Sequence, residues 1–176
     1  MYKLREIERK DLSIINKWRN DSELISMLGA PFRYINYEVD EKWYENYMAN
    51  RNLCVRCAIV DNVCDDILGL VNLTNIDFIN QSAVFSIMIG DNENQGKGIG
   101  TIATILMLKH AFLNLNLQRV ELTTLESNKR AQRLYEKVGF VKEGIKRNSN
   151  YKNGIFVNMI SYSILKDEFL NKYTNK

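Results

Sequence analysis

Over the first hundred residues the apolar positions change period several times. Residues 2–8 alternate polar and apolar side chains, as a strand with one buried face does, whereas Leu12, Ile15 and Trp18 recur at helical spacing over residues 11–21. The single proline, in Gly29-Ala30-Pro31, marks a loop, and a second helix is expected over about residues 40–50 with Trp43, Tyr47 and Met48 on one side. Three strand-like runs follow, about residues 53–60, 67–74 and 83–89, separated by the polar turns Asp61-Asn62 and Asn80-Gln81-Ser82. Such short connections predict an antiparallel meander.

The period then lengthens. Ser86-Ile87-Met88-Ile89-Gly90 leads through Asp91-Asn92-Glu93-Asn94 into Gln95-Gly96-Lys97-Gly98-Ile99-Gly100-Thr101, a passage from strand to loop, glycine-rich turn and helix. The helix is expected over residues 101–114, with Ile102, Ile105, Leu106, Lys109, Phe112 and Leu113 as its mostly apolar face. It delivers the chain to a strand at residues 118–125, and a helical crossover places that strand parallel to residues 83–89. Ser127-Asn128 caps a further helix over residues 129–138, ended by Gly139. Two strands, residues 140–147 and 155–165, flank the turn dipeptide Asn153-Gly154, and the polar tail from Lys166 is expected to fray. The pattern is that of an α/β chain, more exactly a mixed α+β one. A mostly antiparallel sheet carries one parallel pair joined by a helix, in one domain over residues 1–176.

Composition removes several function classes. A chain of 176 residues with 45% hydrophobic and 26% charged residues can bury a core without metal or disulfide staples. It has no apolar run long enough to span a bilayer, and Met1-Tyr2-Lys3-Leu4-Arg5-Glu6 lacks the apolar stretch of a secretory signal, so a cytoplasmic protein without a membrane partner is expected. A net charge of +3, with basic and acidic residues interspersed, argues against nucleic acid as a partner. Cys54-x-x-Cys57 with Cys64 hints at a metal or redox site, but His110 is the only histidine, and free thiols without metal are the expectation. His110 falls mid-helix, where packing or surface exposure accounts for it.

Two stretches carry chemistry. Three glycines at alternate positions before a helix start leave bare N–H groups where the helix dipole is positive, which makes an anion cradle suited to a phosphate or pyrophosphate. The turn is neither a P-loop, since no Gly-Lys-Ser/Thr follows, nor a dinucleotide fingerprint, since the spacing is Gly-x-Gly-x-Gly. Asn128 and Tyr135 lie seven residues apart, which returns them to within roughly 20° of one helix face. Taken alone, the pair is better read as an N-cap and a core aromatic.

Taken in order, Gln95-x-x-Gly98-x-Gly100 and Asn128-x-x-Ala131-x-x-x-Tyr135 with Gly139-Phe140 resemble the paired cofactor motifs of the GNAT superfamily of acetyltransferases. Ala111-Phe112, Leu115-Asn116-Leu117 and Gly139-Phe140-x-x-Glu143-Gly144 are similar to its ribosomal-protein N-terminal, spermidine and aminosugar-nucleotide branch. The resemblance implies acetyl-CoA as co-substrate, with cofactor motifs over about residues 83–140 and substrate-side helices over about residues 11–50. It implies that the backbone of Ile87, Met88 and Ile89 pairs with the pantetheine arm. Gln95, Gly96, Lys97, Gly98, Ile99, Gly100 and Thr101 would form the pyrophosphate loop, and Asn128 would bind the cofactor arm. Tyr135 would protonate the departing thiolate as general acid.

The base is less defined. Some relatives place a glutamate where Thr123 stands, leaving Glu126 or Ser86 as nearby candidates and a water chain as the alternative. Arg19, Arg33, Tyr34 and Tyr37 are candidates for the substrate side, although an ordinary packed helical arm explains the same residues. Trp18-Arg19-Asn20 is similar to aminosugar-nucleotide enzymes, while spermidine enzymes carry adjacent acids where Gly29-Ala30 stands. The expected acceptor is therefore a small amine such as an aminosugar nucleotide, ahead of a protein N-terminus and then a polyamine. A non-catalytic CoA-binding module stays open as an alternative to the enzyme, and a homo-oligomer is compatible with the reading.

Overall fold

The computed structural model describes residues 2–173. Strands β1 (Tyr2–Glu6), β2 (Val55–Asp61), β3 (Ile67–Asp77), β4 (Ser82–Ile89), β5 (Arg119–Leu125), β6 (Val141–Lys152) and β7 (Ile155–Leu165) form one sheet in the order β1-β2-β3-β4-β5-β7-β6. All neighbours are antiparallel except β4 and β5. The expected fold class holds, including the single parallel pair and its helical crossover.

The parallel pairing is short. Ser82, Ala83 and Val84 face Arg119, Val120 and Glu121, and beyond Val84 the two strands part. The gap between them organises the molecule.

Helices cover both faces. Helices α1 (Leu12–Arg19), α2 (Ser22–Ser26) and α3 (Tyr37–Ala49) lie on the face that presents Ala58, Val60 and Leu70. Helices α4 (Ile99–Lys109), α5 (Lys129–Val138) and α6 (Lys166–Tyr173) lie on the other, around Ile59, Val71, Leu73 and Phe85. Because β2 and β3 alternate between the two cores, they read as nearly continuous apolar runs.

Four elements differ from the sequence expectation. The first helix stops at Arg19, and a separate short helix, α2, starts after Asp21, whose side chain accepts from the N–H groups of Glu23 and Leu24. Helix α3 begins at Tyr37, capped by Asn36, and although Tyr47 is buried and Trp43 partly so, Met48 faces outward. The buried side of α4 is Ile99, Ala103, Thr104, Met107 and Leu108, while Ile102 is exposed, as is Leu113 in the π-helical turn His110–Asn114 that follows. This helix is apolar nearly all round, so spacing does not select a face. Packing on the sheet selects the face, and Thr104 Oγ1, buried on it, satisfies itself by donating to Gly100 O at 2.7 Å.

The tail is not frayed. Lys166–Tyr173 is helical, with Phe169 buried 5.4 Å from the ring of Phe112 and 4.9 Å from that of Tyr173. Lys172 Nζ donates to Lys137 O and Tyr173 Oη to Val138 O, so α6 satisfies carbonyls at the end of α5. Residues 174–176 of that tail lie outside the described residues.

Candidate active site

The parting of β4 from β5 opens a cavity of about 1140 Å³ that runs from the glycine-rich turn to the wall made by α1, α3 and the loop at Gly29. That is space for a cofactor arm together with a second reactant. Gly90 N–H donates to Leu68 O on β3 at 2.9 Å. By the alternation of an antiparallel ladder, the main-chain groups of Ile89 and Ile87 then face the opposite way, into the gap. Ile87, Met88 and Ile89 all line the cavity.

At one end stands the cradle. Gly98 is the N-cap of α4 at φ +81°, and Gly96 has φ +88°, a backbone that only glycine adopts without strain. The first N–H groups of α4 have no partner within the helix, and Gly96, Gly98, Ile99, Gly100 and Thr101 border the cavity where those groups open. Gly100 answers to a different constraint. A Cβ there would lie 2.8 Å from Leu134 Cδ1, so this glycine sets how closely α4 approaches α5. Gln95 Oε1 accepts from Arg130 Nη1 at 2.6 Å, tying the turn to α5. Lys97 is exposed and lies outside the cavity.

Helix α5 contributes a stripe that the sequence reading passed over. Arg130, Arg133 and Lys137, spaced i, i+3 and i+7, line the cavity beside the cradle. Their spacing was visible, but in a helix rich in charge it resembles any solvated face.

Asn128 and Tyr135 both line the cavity from α5, and their contacts are those of the N-cap and core aromatic read from the sequence. Asn128 is the N-cap, its Oδ1 accepting from Ala131 N–H at 3.0 Å and its Nδ2 donating to Met27 O at 3.0 Å. Tyr135 is a core aromatic, packed edge-on to Phe85 at 6.3 Å and to Phe140 at 5.7 Å. Burial pushes its phenol up to about 12. Among the described residues none hydrogen-bonds its hydroxyl.

The structure does not bring every candidate together. Glu126 lies outside the cavity, and its carboxylate accepts from Asn158 Nδ2 at 2.9 Å. Arg33 and Tyr34 are exposed on the outer loop, where Tyr34 packs against Phe32. Arg19 does line the cavity, but its guanidinium pairs with the fully buried Asp40 and lies over Trp43. Asp40 also accepts from Asn16 Nδ2, so Arg19 balances a buried charge.

Opposite the cradle a polar row crosses three strands. Arg56 on β2 faces Asn72 on β3, which faces Ser86 on β4, and all three line the cavity. Arg56 lies 4.9 Å from the ring centre of Trp43 and 5.9 Å from that of Tyr47. Only Ser86 was singled out from sequence, because a polar side chain inside a strand reads as an outward position.

The three cysteines are free thiols. Burial pushes the Cys57 thiol up to about 11, Cys64 is exposed, and no group of three or more His, Cys, Asp or Glu side chains is gathered as for a metal among the described residues. No helix of the described residues is long and apolar enough to cross a membrane.

A splayed parallel strand pair, a glycine cradle at a helix start and a cavity long enough for an extended cofactor arm define an acyl-CoA-dependent acyltransferase. Comparison with known families agrees: residues 2–141 match the acetyltransferase (GNAT) domain, and the chain belongs to that family. It is an acetyl-CoA-dependent N-acetyltransferase. A spermidine N(1)-acetyltransferase of Vibrio cholerae serotype O1 is 31% identical over 170 residues, covering 96% of this chain and 95% of the relative. The solved structure of spermidine N-acetyltransferase from Vibrio cholerae in complex with CoA and spermine superposes with a TM-score of 0.90 at 31% identity, covering 97% of this chain and 98% of that one. A dodecameric structure of the Vibrio cholerae enzyme superposes with a TM-score of 0.84 at 30% identity, with 98% of each chain covered.

Proposed function

We propose that the cavity transfers acetyl directly from acetyl-CoA to the primary amine of a small molecule that also carries an acidic group. The cofactor's pyrophosphate would rest on the N–H groups at the start of α4 beside Arg130, and its extended arm would add to the free edge of β4. The acceptor amine, protonated in water with a pKa of about 10.4, must first become neutral. Among the described residues no Asp or Glu lines the cavity, which supports proton loss through water instead of to a carboxylate. The amine nitrogen then attacks the thioester carbon, with the Ile89 N–H placed to receive the developing oxyanion. Collapse breaks the C–S bond, the nitrogen gives up its second proton to water, and the thiolate takes the Tyr135 proton, which solvent later restores. Asn128, with one bond at each amide end, positions α5 and keeps the second lone pair of Oδ1 and the second N–H of Nδ2 to offer a ligand.

One observation carries the acceptor class: every charged side chain lining the cavity, among the described residues, is basic. Such a wall suits an anionic amine, an aminosugar nucleotide being the leading example, and gives a polyamine no counter-charge. The second reading, polyamine acetylation, is supported by the spermidine enzymes to which the chain is similar. The lining draws on residues 15–56 as well as 70–159, which supports treating the chain as one catalytic unit. Self-association is supported by the dodecameric relative and by the exposed Tyr151, Ile155 and Phe156 on the β6–β7 hairpin.

The test is thiol release from acetyl-CoA with a panel of aminosugar nucleotides, amino acids, N-terminal peptides and spermidine. Fastest turnover of an anionic amine is expected; preference for spermidine would replace this reading with the second.

A further inference from the structure

The polar row on β2, β3 and β4 has a defect that a substrate would repair. Asn72 Nδ2 donates to Ser86 Oγ at 3.2 Å, which leaves Asn72 Oδ1 on the other side of the amide without that partner. Arg56 Nε and Asn72 Oδ1 are the buried side-chain polar atoms without a hydrogen-bond partner among the described residues. Buried polar atoms are nearly always paired, and these two are neighbours in register. One is a donor and the other an acceptor. Both belong to residues lining the same cavity, and Ser86 lies just past the point where β4 leaves β5. The row thus flanks the gap on the face opposite α4.

From this juxtaposition we infer that Arg56 and Asn72 form the subsite that selects the acceptor. Asn72 Oδ1 accepts an N–H of the attacking amine, which leaves the nitrogen lone pair free for the thioester carbon. Arg56 Nε–H donates to an oxygen of a carboxylate or phosphate on the same molecule. Stacking on Trp43 and Tyr47 holds the guanidinium plane in place, a geometry that an ammonium would not reproduce. The inference rests on the acetyltransferase reading and adds to it the groups that read the substrate.

Matched acceptor pairs test it: glucosamine 6-phosphate against glucosamine, and glycine against glycinamide, with spermidine as the cationic member. The purified full chain is expected to favour at least one anionic member over its neutral partner by tenfold or more in kcat/KM, and the pair that does so tells phosphate from carboxylate. Arg56→Gln should erase that preference by raising the KM of the anionic member about tenfold, with the acetyl-CoA KM within twofold of wild type. Arg56→Lys, which keeps the charge but loses the fork, should recover only part of it. Asn72→Asp, which places a carboxylate in the row, should move the preference toward spermidine. If Arg56→Gln alters the folded state, the Asn72→Asp shift alone decides the matter. Turnover whose acceptor preference is the same in wild type, Arg56→Gln and Asn72→Asp overturns the subsite. Absence of thiol release with every amine would instead remove the small-amine reading on which it stands.

Discussion

Burial moves Tyr135 away from any pH at which its phenol would lose a proton, to about 12 from an ordinary 10. The sign matters: with its pKa raised, the hydroxyl stays protonated through neutrality and loses its proton only as pH rises toward that value. A strongly held proton is also a reluctant one. A thiolate expelled into the same dry space becomes more basic too, as the buried Cys57 thiol at about 11 illustrates, so donor and acceptor rise together. Tyr135→Phe keeps the ring and its contacts with Phe85 and Phe140 but deletes the donor. We expect turnover to fall by about 10²- to 10⁴-fold, with little change in thermal stability or acetyl-CoA KM. Wild-type kcat in single-turnover experiments would reduce the residue to a core aromatic. The sequence offered Asn128 and Tyr135 as a pair through helix periodicity together with the resemblance of the two ordered motifs. It could not offer Arg56 and Asn72, because their meeting depends on strand register across a loop and a turn.

At the scale of elements, what was legible is what local chemistry dictates. The cradle, the Asn128 cap and the Asn153-Gly154 turn depend on residues that tolerate few backbones, and Asn153 and Gly154 do take positive φ at 48° and 87°. The exposed side of α4 and the helicity of 166–173 depend on what packs against them, Leu134 and the sheet in one case and Phe112 in the other. Side-chain spacing alone carries no such information. A prediction follows for the turn. At Gly98 an added Cβ meets nothing within 4 Å, so the cost of Gly98→Val lies in the positive φ and in the loss of an open approach to the helix N–H groups. Calorimetry should show acetyl-CoA affinity lowered by tenfold or more against a loss of stability of only about 1–3 kcal/mol. Unchanged affinity would place the pyrophosphate elsewhere.

Across the whole molecule, the sheet is two ladders, β1 to β4 and β5 to β6, joined by three residue pairs at the base of the gap. The second ladder carries its own clamp. Arg119 on β5 donates to both Glu143 oxygens on β6, at 2.8 and 2.6 Å, and Ser163 on β7 donates to the same carboxylate at 2.8 Å. The Arg119 guanidinium and then the Ser163 hydroxyl hold the Glu143 carboxyl well below its ordinary value of 4.5, at about 2. A depressed acid stabilises the fold above its ordinary pKa and loses that contribution as pH falls from about 4.5 toward about 2. Both partners are partly exposed, so solvent screens the effect. Glu143→Gln should lower the urea midpoint near pH 7 and narrow the gap from wild type as pH drops through that window. A constant gap would mean that the clamp acts through packing and not through charge.

The chain has two tryptophans, and the fold sets them against different parts of the site. The indole of Trp18 is buried against Gly90, where an added Cβ would lie 2.0 Å from its ring, and its Nε1 donates to Asp91 Oδ1 at the start of the loop that leads into the cradle. Trp43 lines the cavity and packs against Arg56. Intrinsic fluorescence therefore has two sources, one behind the strand end that leads to the cradle and one in the acceptor wall, which cofactor and acceptor should quench or shift to different extents. A chain retaining only one indole would report on cofactor or acceptor alone, giving the order of binding from stopped-flow traces without a label.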